Sequence, residues 1–508
     1  MPARIVQLPS VSEAPASEPT GGAATPTNLG EALAELRTRL DIPAEFPPEV
    51  VDVAERAARQ PRLPDPDRTD LELITIDPPG STDLDQALHL ARTDTGYVVS
   101  YAIADVAAFV TPDDPVDQET RDRGLTLYAP DRRTPLHPLV LSEGAASLLP
   151  GQNRPALLWT MRLADDGRLL DVDVARAVVR SREQLSYEQA QAEIDGGSPR
   201  EALALLVEVG KHRERRERER GGVSLQIPAQ EIQAEPDGAY TLTYRATLPV
   251  ERYNAQISLL TGMAAAQMML SGRVGILRTL PPADPTALRR LRQTARALHI
   301  RWPAELDYPE FVRSLDPNKP EHAAMLNACT HLFRGAGYAA FHGEVPDGSD
   351  HAALAMAYAH VTAPLRRLVD RFGGEICVAL CADRPVPSWV LDALDGLPEL
   401  MAAADSKSKK YERKMVDLIE VSLLRDRIGE TFAGTVVDVE SSQRRGLVMI
   451  ADPAVLARVS GEDLPLGAEV SLQLAAAAWE SGRVEFVLQP PRPPGRVAGR
   501  PGVWQDSP

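Results

Sequence analysis

A chain of 508 residues exceeds one ordinary domain, and an apolar fraction of 44% is enough for a substantial core. A net charge of −17 excludes an indiscriminate polyanion binder with a basic surface, so any nucleic-acid function must rest on local basic clusters. No run of about 18 apolar residues and no signal-peptide pattern is present, which leaves no membrane partner to expect, and the three cysteines (Cys329, Cys377 and Cys381) read as buried thiols of a reduced, cytoplasmic protein.

Residues 1–27 are rich in Pro, Ala, Ser, Thr and Gly and read as a disordered tail. A short helical lead-in, 28–69, follows. Leu29, Leu33, Leu36 and Leu40 stand at helical spacing before Pro43, and "PPEVVDVAERAARQ" predicts a second helix with Pro48 near its start. From Leu71 the pattern turns to strands: "LELITI", then "QALHLAR" and "YVVSYAIADVAAFV" around the turn "TDTG". A mixed α/β body runs from 70 to 400, with long helices predicted at 254–270, 286–299, 321–340 and 364–382. An amphipathic helix over 401–429 leads to five short strands in 430–490, enough for a small OB-like barrel, and 491–508 is a Pro/Gly/Arg tail, also read as disordered. The fold class is therefore α+β, a large mixed domain followed by a small barrel.

The chemistry concentrates in "LITIDPPGSTDLDQALHL". Asp77 ends a predicted strand, the Pro-Pro-Gly turn bends the chain, and Asp83 and Asp85, two apart, point the same way in an extended segment. Such a set suits hard, oxygen-seeking cations such as Mg²⁺, and a pair of them about 4 Å apart activates water and stabilises a leaving oxygen in phosphodiester cleavage. Yet about one residue in seven is acidic, so on spacing alone a solvated acidic turn is the better reading.

The surrounding blocks change that balance. "TIDPPGSTDLDQAL" resembles the signature of the ribonuclease II/R (RNB) family, and further blocks follow in order: "LTLYAPDRRTPLHPLVLSEGAASLLPGQNRPAL", "VRSREQLSYEQAQ", "RERGGVSLQIPAQEI", "LPVERYNAQISLLTGMAA" and "AYAHVTAPLRRLVDRF". The resemblance covers about residues 70–430. It implies an RNB-type catalytic domain and a Mg²⁺-dependent 3′→5′ exoribonuclease acting on single-stranded RNA. Asp77, Asp83 and Asp85 would be metal-site residues, Asp85 the one most needed for hydrolysis, and Arg366 would contact the scissile phosphate. Tyr128, Tyr187 and Glu251 would contact RNA near its 3′ end. Gln86 stands where the family usually has a fourth aspartate, which raises an alternative: a catalytically impaired RNB-fold RNA-binding or regulatory protein.

Other features stay open between two readings. Arg366 has a helix-end ion pair with Asp370 as its structural alternative, and Arg367 is assigned no chemistry. "KHRERRERERGG" is either a solvated, self-paired helix or an RNA-channel lining, and "SKSKKYERK" carries the same pair of readings. His322, His331, His342, His351 and His360 fit no metal spacing and are read as structural. The stretch before Asp77 is too short for the two N-terminal cold-shock barrels common in the family. The C-terminal barrel offers arginines in "QRRGLVMI" where stacking rings are expected. Protein partners are not indicated.

Overall fold

The computed structural model describes residues 4–6, 28–225, 227, 229–234, 240–440 and 444–490. The disordered reading of 1–27 falls outside these residues except at Arg4–Val6, a short strand parallel to Ala229–Ala234, and that of 491–508 falls outside altogether.

Five strands close a barrel at the centre of the mixed domain: β1 (Leu73–Asp77), β2 (Gln86–Thr93), β3 (Gly96–Ala104), β4 (Asn153–Ala164) and β5 (Leu169–Ser186). Neighbours are antiparallel except β1 and β5, whose parallel pairing sets Asp77 opposite Ser186 and closes the ring. The register places Gln86 beside Ile103 at one end and Gly96 beside Ala164 at the other. Strand β3 is buried along almost its whole length, because helices cover the barrel where solvent would otherwise lie. That is why "YVVSYAIA" shows no apolar–polar alternation and why its place in a closed barrel is not legible from the pattern.

The covering helices carry the rest of the core. After α1 (Leu29–Arg39) and α2 (Pro48–Arg59) come α3 (Tyr187–Asp195), α4 (Glu201–Glu219), α5 (Pro249–Gly272) and α6 (Leu368–Cys381). Ile257, Leu260 and Met269 of α5 and Phe372 and Ile376 of α6 join Tyr101, Ile103 and Trp159 of the barrel in one apolar cluster. Gly262 lets α5 approach the chain before Thr362, since a Cβ there would meet the Tyr358 ring at 2.2 Å. Helix α7 (Leu397–Leu424) then passes Leu33 and Leu36 of α1 and enters the C-terminal barrel, so the connecting helix begins before 401 and ends before 429.

The second barrel comprises β6 (Thr431–Val439), β7 (Arg445–Ile450), β8 (Val455–Ser460), β9 (Glu469–Ala478) and β10 (Arg483–Leu488), closed in the order β6-β7-β8-β10-β9. All five predicted strands are present. One expected helix is not. The segment 321–340 is helical only over Pro320–Cys329, and after a 3-10 turn at Thr330–Phe333 it becomes the strand Gly337–His342. Gly335, at φ 88°, redirects the chain after the 3-10 turn, and the strand is held by pairing with Val274–Thr279.

Candidate active site

Asp77 stands at the end of β1, and the loop to β2 turns at Gly80, whose φ of 76° suits glycine. The loop is pinned from outside. Ser147 Oγ donates to Thr82 O (2.7 Å) and accepts from Leu84 N–H (2.9 Å), Leu148 N–H donates to Leu84 O (3.0 Å), and Gln184 Nε2 donates to Ser81 O (2.8 Å). These contacts explain the conjunction of "STDLD" with "ASLLP" in the sequence: the second segment is the scaffold of the first.

Asp85 is almost fully buried, and its Oδ1 accepts from the backbone N–H of Leu365 at 2.8 Å, 280 positions along the chain. Its Oδ2 lies 3.5 Å from Arg366 Nε. Asp83 Oδ1 is paired with Arg133, and its Oδ2 accepts from the Tyr128 hydroxyl at 3.3 Å. Burial and the Asp83 charge raise the Tyr128 hydroxyl above its ordinary range, so it stays a proton donor. Burial pushes Asp77 up to about 7 and Asp85 up to about 8, in both cases against the pull of Arg366.

The adjacent arginines divide their work. Arg367 makes a two-pronged pair with Asp370 (2.8 and 2.7 Å), whose carboxylate also accepts from Ala363 N–H at 2.7 Å. Asp370 is thus committed to Arg367, and the expected alternative partner of Arg366 is taken. Arg366 retains 47% side-chain exposure and turns toward the acids.

Gln86 is wired into the wall. Its Oε1 accepts from the buried Tyr101 hydroxyl, and its Nε2 donates to Thr362 O at 2.6 Å. Ser258 of α5 meets Thr362 Oγ1 at 2.8 Å beside it. Both ends of the amide are in use, so Gln86 acts as a brace between β2 and the segment carrying Arg366.

Among the described residues, no three acidic, histidine or cysteine side chains are grouped tightly enough to grip one ion as they stand. Their chemistry nonetheless fits a hard divalent cation. The set is all oxygen, Asp77 Oδ2 is buried with no hydrogen-bond partner among the described residues, and the carboxyls of Asp77 and Asp85 stay raised although the Arg366 guanidinium acts on both.

The two remaining residues flank this centre. Tyr187 opens α3 directly after Ser186, the neighbour of Asp77, and packs against the barrel core. Glu251, in the first turn of α5, accepts from Leu248 N–H (2.9 Å) and pairs with Arg245 at 2.7 Å. Its visible role is a helix cap. Sequence reasoning missed Arg133, Ser147 and Tyr101. Arg133 lies within the quoted "YAPDRRTPL" block, but only its pairing with Asp83 and Glu143 singles it out from Arg132.

His137 supports the same centre from behind. Its Nδ1 lies 3.3 Å from the carbonyl of Leu365, the residue whose N–H holds Asp85. Burial pulls its pKa from 6.5 to about 4. The unfolded chain therefore binds this proton first, and about 3 kcal/mol of stability is lost as pH falls from 6.5 toward 4. Denaturant unfolding of wild type and His137→Gln across that window is expected to show a flatter dependence in the variant. Parallel curves would show that His137 does not titrate on unfolding.

A model of the RNB domain matches residues 66–372, and one of the RNase II-type exonuclease C-terminal S1 domain matches 430–489. The chain is 26% identical to ribonuclease R of Aquifex aeolicus, with 89% of this chain and 69% of that one covered. It is 24% identical to ribonuclease R of Escherichia coli, with 93% and 64% covered. In fold it resembles Mycoplasma genitalium RNase R (TM-score 0.81, 18% identity, 91% of this chain and 78% of that one), which has been solved free and with single- and double-stranded RNA. The first match alone spans more than half of the 508 residues, and the chain belongs to the RNB family.

Proposed function

We propose that the chain is a Mg²⁺-dependent 3′→5′ exoribonuclease that hydrolyses single-stranded RNA to nucleoside 5′-monophosphates in RNA turnover in the cytoplasm. The observation that carries this reading is the meeting of Asp85 and Arg366 across Leu365, with Asp77 and Asp83 within electrostatic reach. Asp77, Asp83 and Asp85 would hold the cation, which when bound lowers the pKa of water and offsets phosphate charge. Arg366 donates to the phosphate and offsets charge that develops on its oxygens. Tyr128 holds Asp83 by its hydroxyl, and Tyr187, within electrostatic reach of Asp77 and Glu251, would with Glu251 contact the RNA near its 3′ end. On the second barrel, exposed Arg445, Arg458 and Arg483 suit phosphate contacts in place of stacking rings. Among the described residues no helix is long and apolar enough to cross a membrane.

The test is a 5′-labelled oligo(A) incubated with protein in Mg²⁺ or EDTA, with Gln86→Asp alongside. Wild type is expected to give a Mg²⁺-dependent ladder. Gln86→Asp should not exceed it, and should lose about 1–3 kcal/mol of stability because Tyr101 and the Thr362 carbonyl lose their partner. An inert wild type rescued by Gln86→Asp would establish the impaired-site alternative.

A further inference from the structure

The basic stretch "KHRERRERERGG" is helical with an Arg216–Glu219 pair on its surface, yet it also turns arginines inward. At the end of α4, Arg213, Arg216 and Arg220 converge with Arg168 of the β4–β5 turn on a cavity of about 540 Å³. Its floor is apolar: Leu260 and Met263 of α5, and Met356. Arg213 is only 6% exposed. It donates to Gly167 O (2.9 Å) and approaches Met263 Sδ (3.8 Å), but its Nε has no partner and no carboxylate pairs with it among the described residues. Arg220 donates through Nε to Leu354 O at 2.7 Å, while its buried Nη2 is also without a partner. Arg216 shares its charge with the exposed acids Asp166 (3.3 Å) and Glu219 (3.6 Å).

A guanidinium buried without a paired anion is costly, and here Arg220 and Arg216 outweigh the more weakly acting carboxylates of Glu217 and Asp166. Burial, then Arg220 and Arg216, pull Arg213 down to about 10. An anionic ligand would satisfy the unpaired donors. The cavity opens beside the β4–β5 turn at the Gly96–Ala164 end of the first barrel, and none of Asp77, Asp83, Asp85, Gln86 or Arg366 lines it. It is therefore separate from the aspartate centre.

We propose that this pocket binds a nucleoside monophosphate, its phosphate on the arginine cluster and its base over Leu260, Met263 and Met356. The volume suits a ligand of that size. Asp166 and Glu219 at the rim oppose a long polyanion but leave a single phosphate its buried donors. The site stands independently of the proposed reaction; under that reaction its ligand belongs to the product class.

Equilibrium dialysis of labelled AMP against the full chain in EDTA tests it. Binding is expected in wild type and in Arg366→Ala, competed by inorganic phosphate. It should weaken at least about tenfold in Arg168→Glu/Arg216→Glu, which loses two charged donors. Both arginines are at least partly exposed, so folding is expected to survive, with circular dichroism as the check. Gln267→Glu, an exposed lining residue, adds rim charge without touching an arginine and should weaken AMP as well. Unchanged binding in both pocket variants, no binding by wild type at millimolar AMP, or loss only in Arg366→Ala overturns the proposal.

Discussion

Asp85→Asn is expected to lower RNA hydrolysis about a thousandfold or more while RNA is still retained on the protein. The substitution keeps the shape and can still accept from Leu365 N–H, so the loss would report charge rather than collapse. A second readout separates it from a folding defect. Burial raises the Asp85 carboxyl from 3.8 to about 8, so in the folded state it holds a proton that the unfolded chain has released. Stability therefore falls as pH rises from about 4 to about 8 in the absence of cation, and Asn escapes that loss. In EDTA the variant is expected to melt above wild type at pH 8, by about 1–3 kcal/mol, and close to it at pH 4. A variant that melts lower at both pH values would mean that Asp85 is held by its contacts rather than burdened by burial.

Arg366→Ala is expected to cost about 10²–10³ in kcat with a smaller change in KM, since its contact strengthens as charge develops on the phosphate. Arg366→Lys should recover only part of that, because an ammonium cannot make the two-pronged contact. Arg367→Ala should behave differently. It strands Asp370, whose side chain is fully buried, and should cost about 3–5 kcal/mol of stability. Steady-state kinetics and thermal melting of the three variants separate these outcomes. If Arg366→Ala lowers the melting temperature as much as Arg367→Ala, the division of work between the two is wrong.

That division marks the limit of what the sequence shows. Two arginines in "APLRR" are equivalent until Asp370 is seen to claim the second. The aspartate set was legible through its ordered companions, since its own spacing favoured an acidic turn. The Gln86 departure was visible, but its meaning was not: its partners Tyr101 and Thr362 lie 15 and 276 positions away. The second barrel was readable because its strands keep apolar residues on one face, as in the alternation of Thr431–Val439. The first barrel was not, because both faces of β3 are buried. The arginine pocket was hidden for another reason: alternating Arg and Glu looks like a solvated face, and only packing against α5 reveals that Arg213 turns inward.

The hydrogen bond from Leu365 to Asp85 has a consequence in time. It joins positions 280 residues apart, and the Gln86 brace spans nearly as many. At about 5–20 residues per second of synthesis, the acids emerge roughly 15–55 s before the arginine that completes their centre. A growing chain would thus carry its aspartates in an unfinished state while still beside the message that encodes it. Potency would arrive only as the last third of the polypeptide is made.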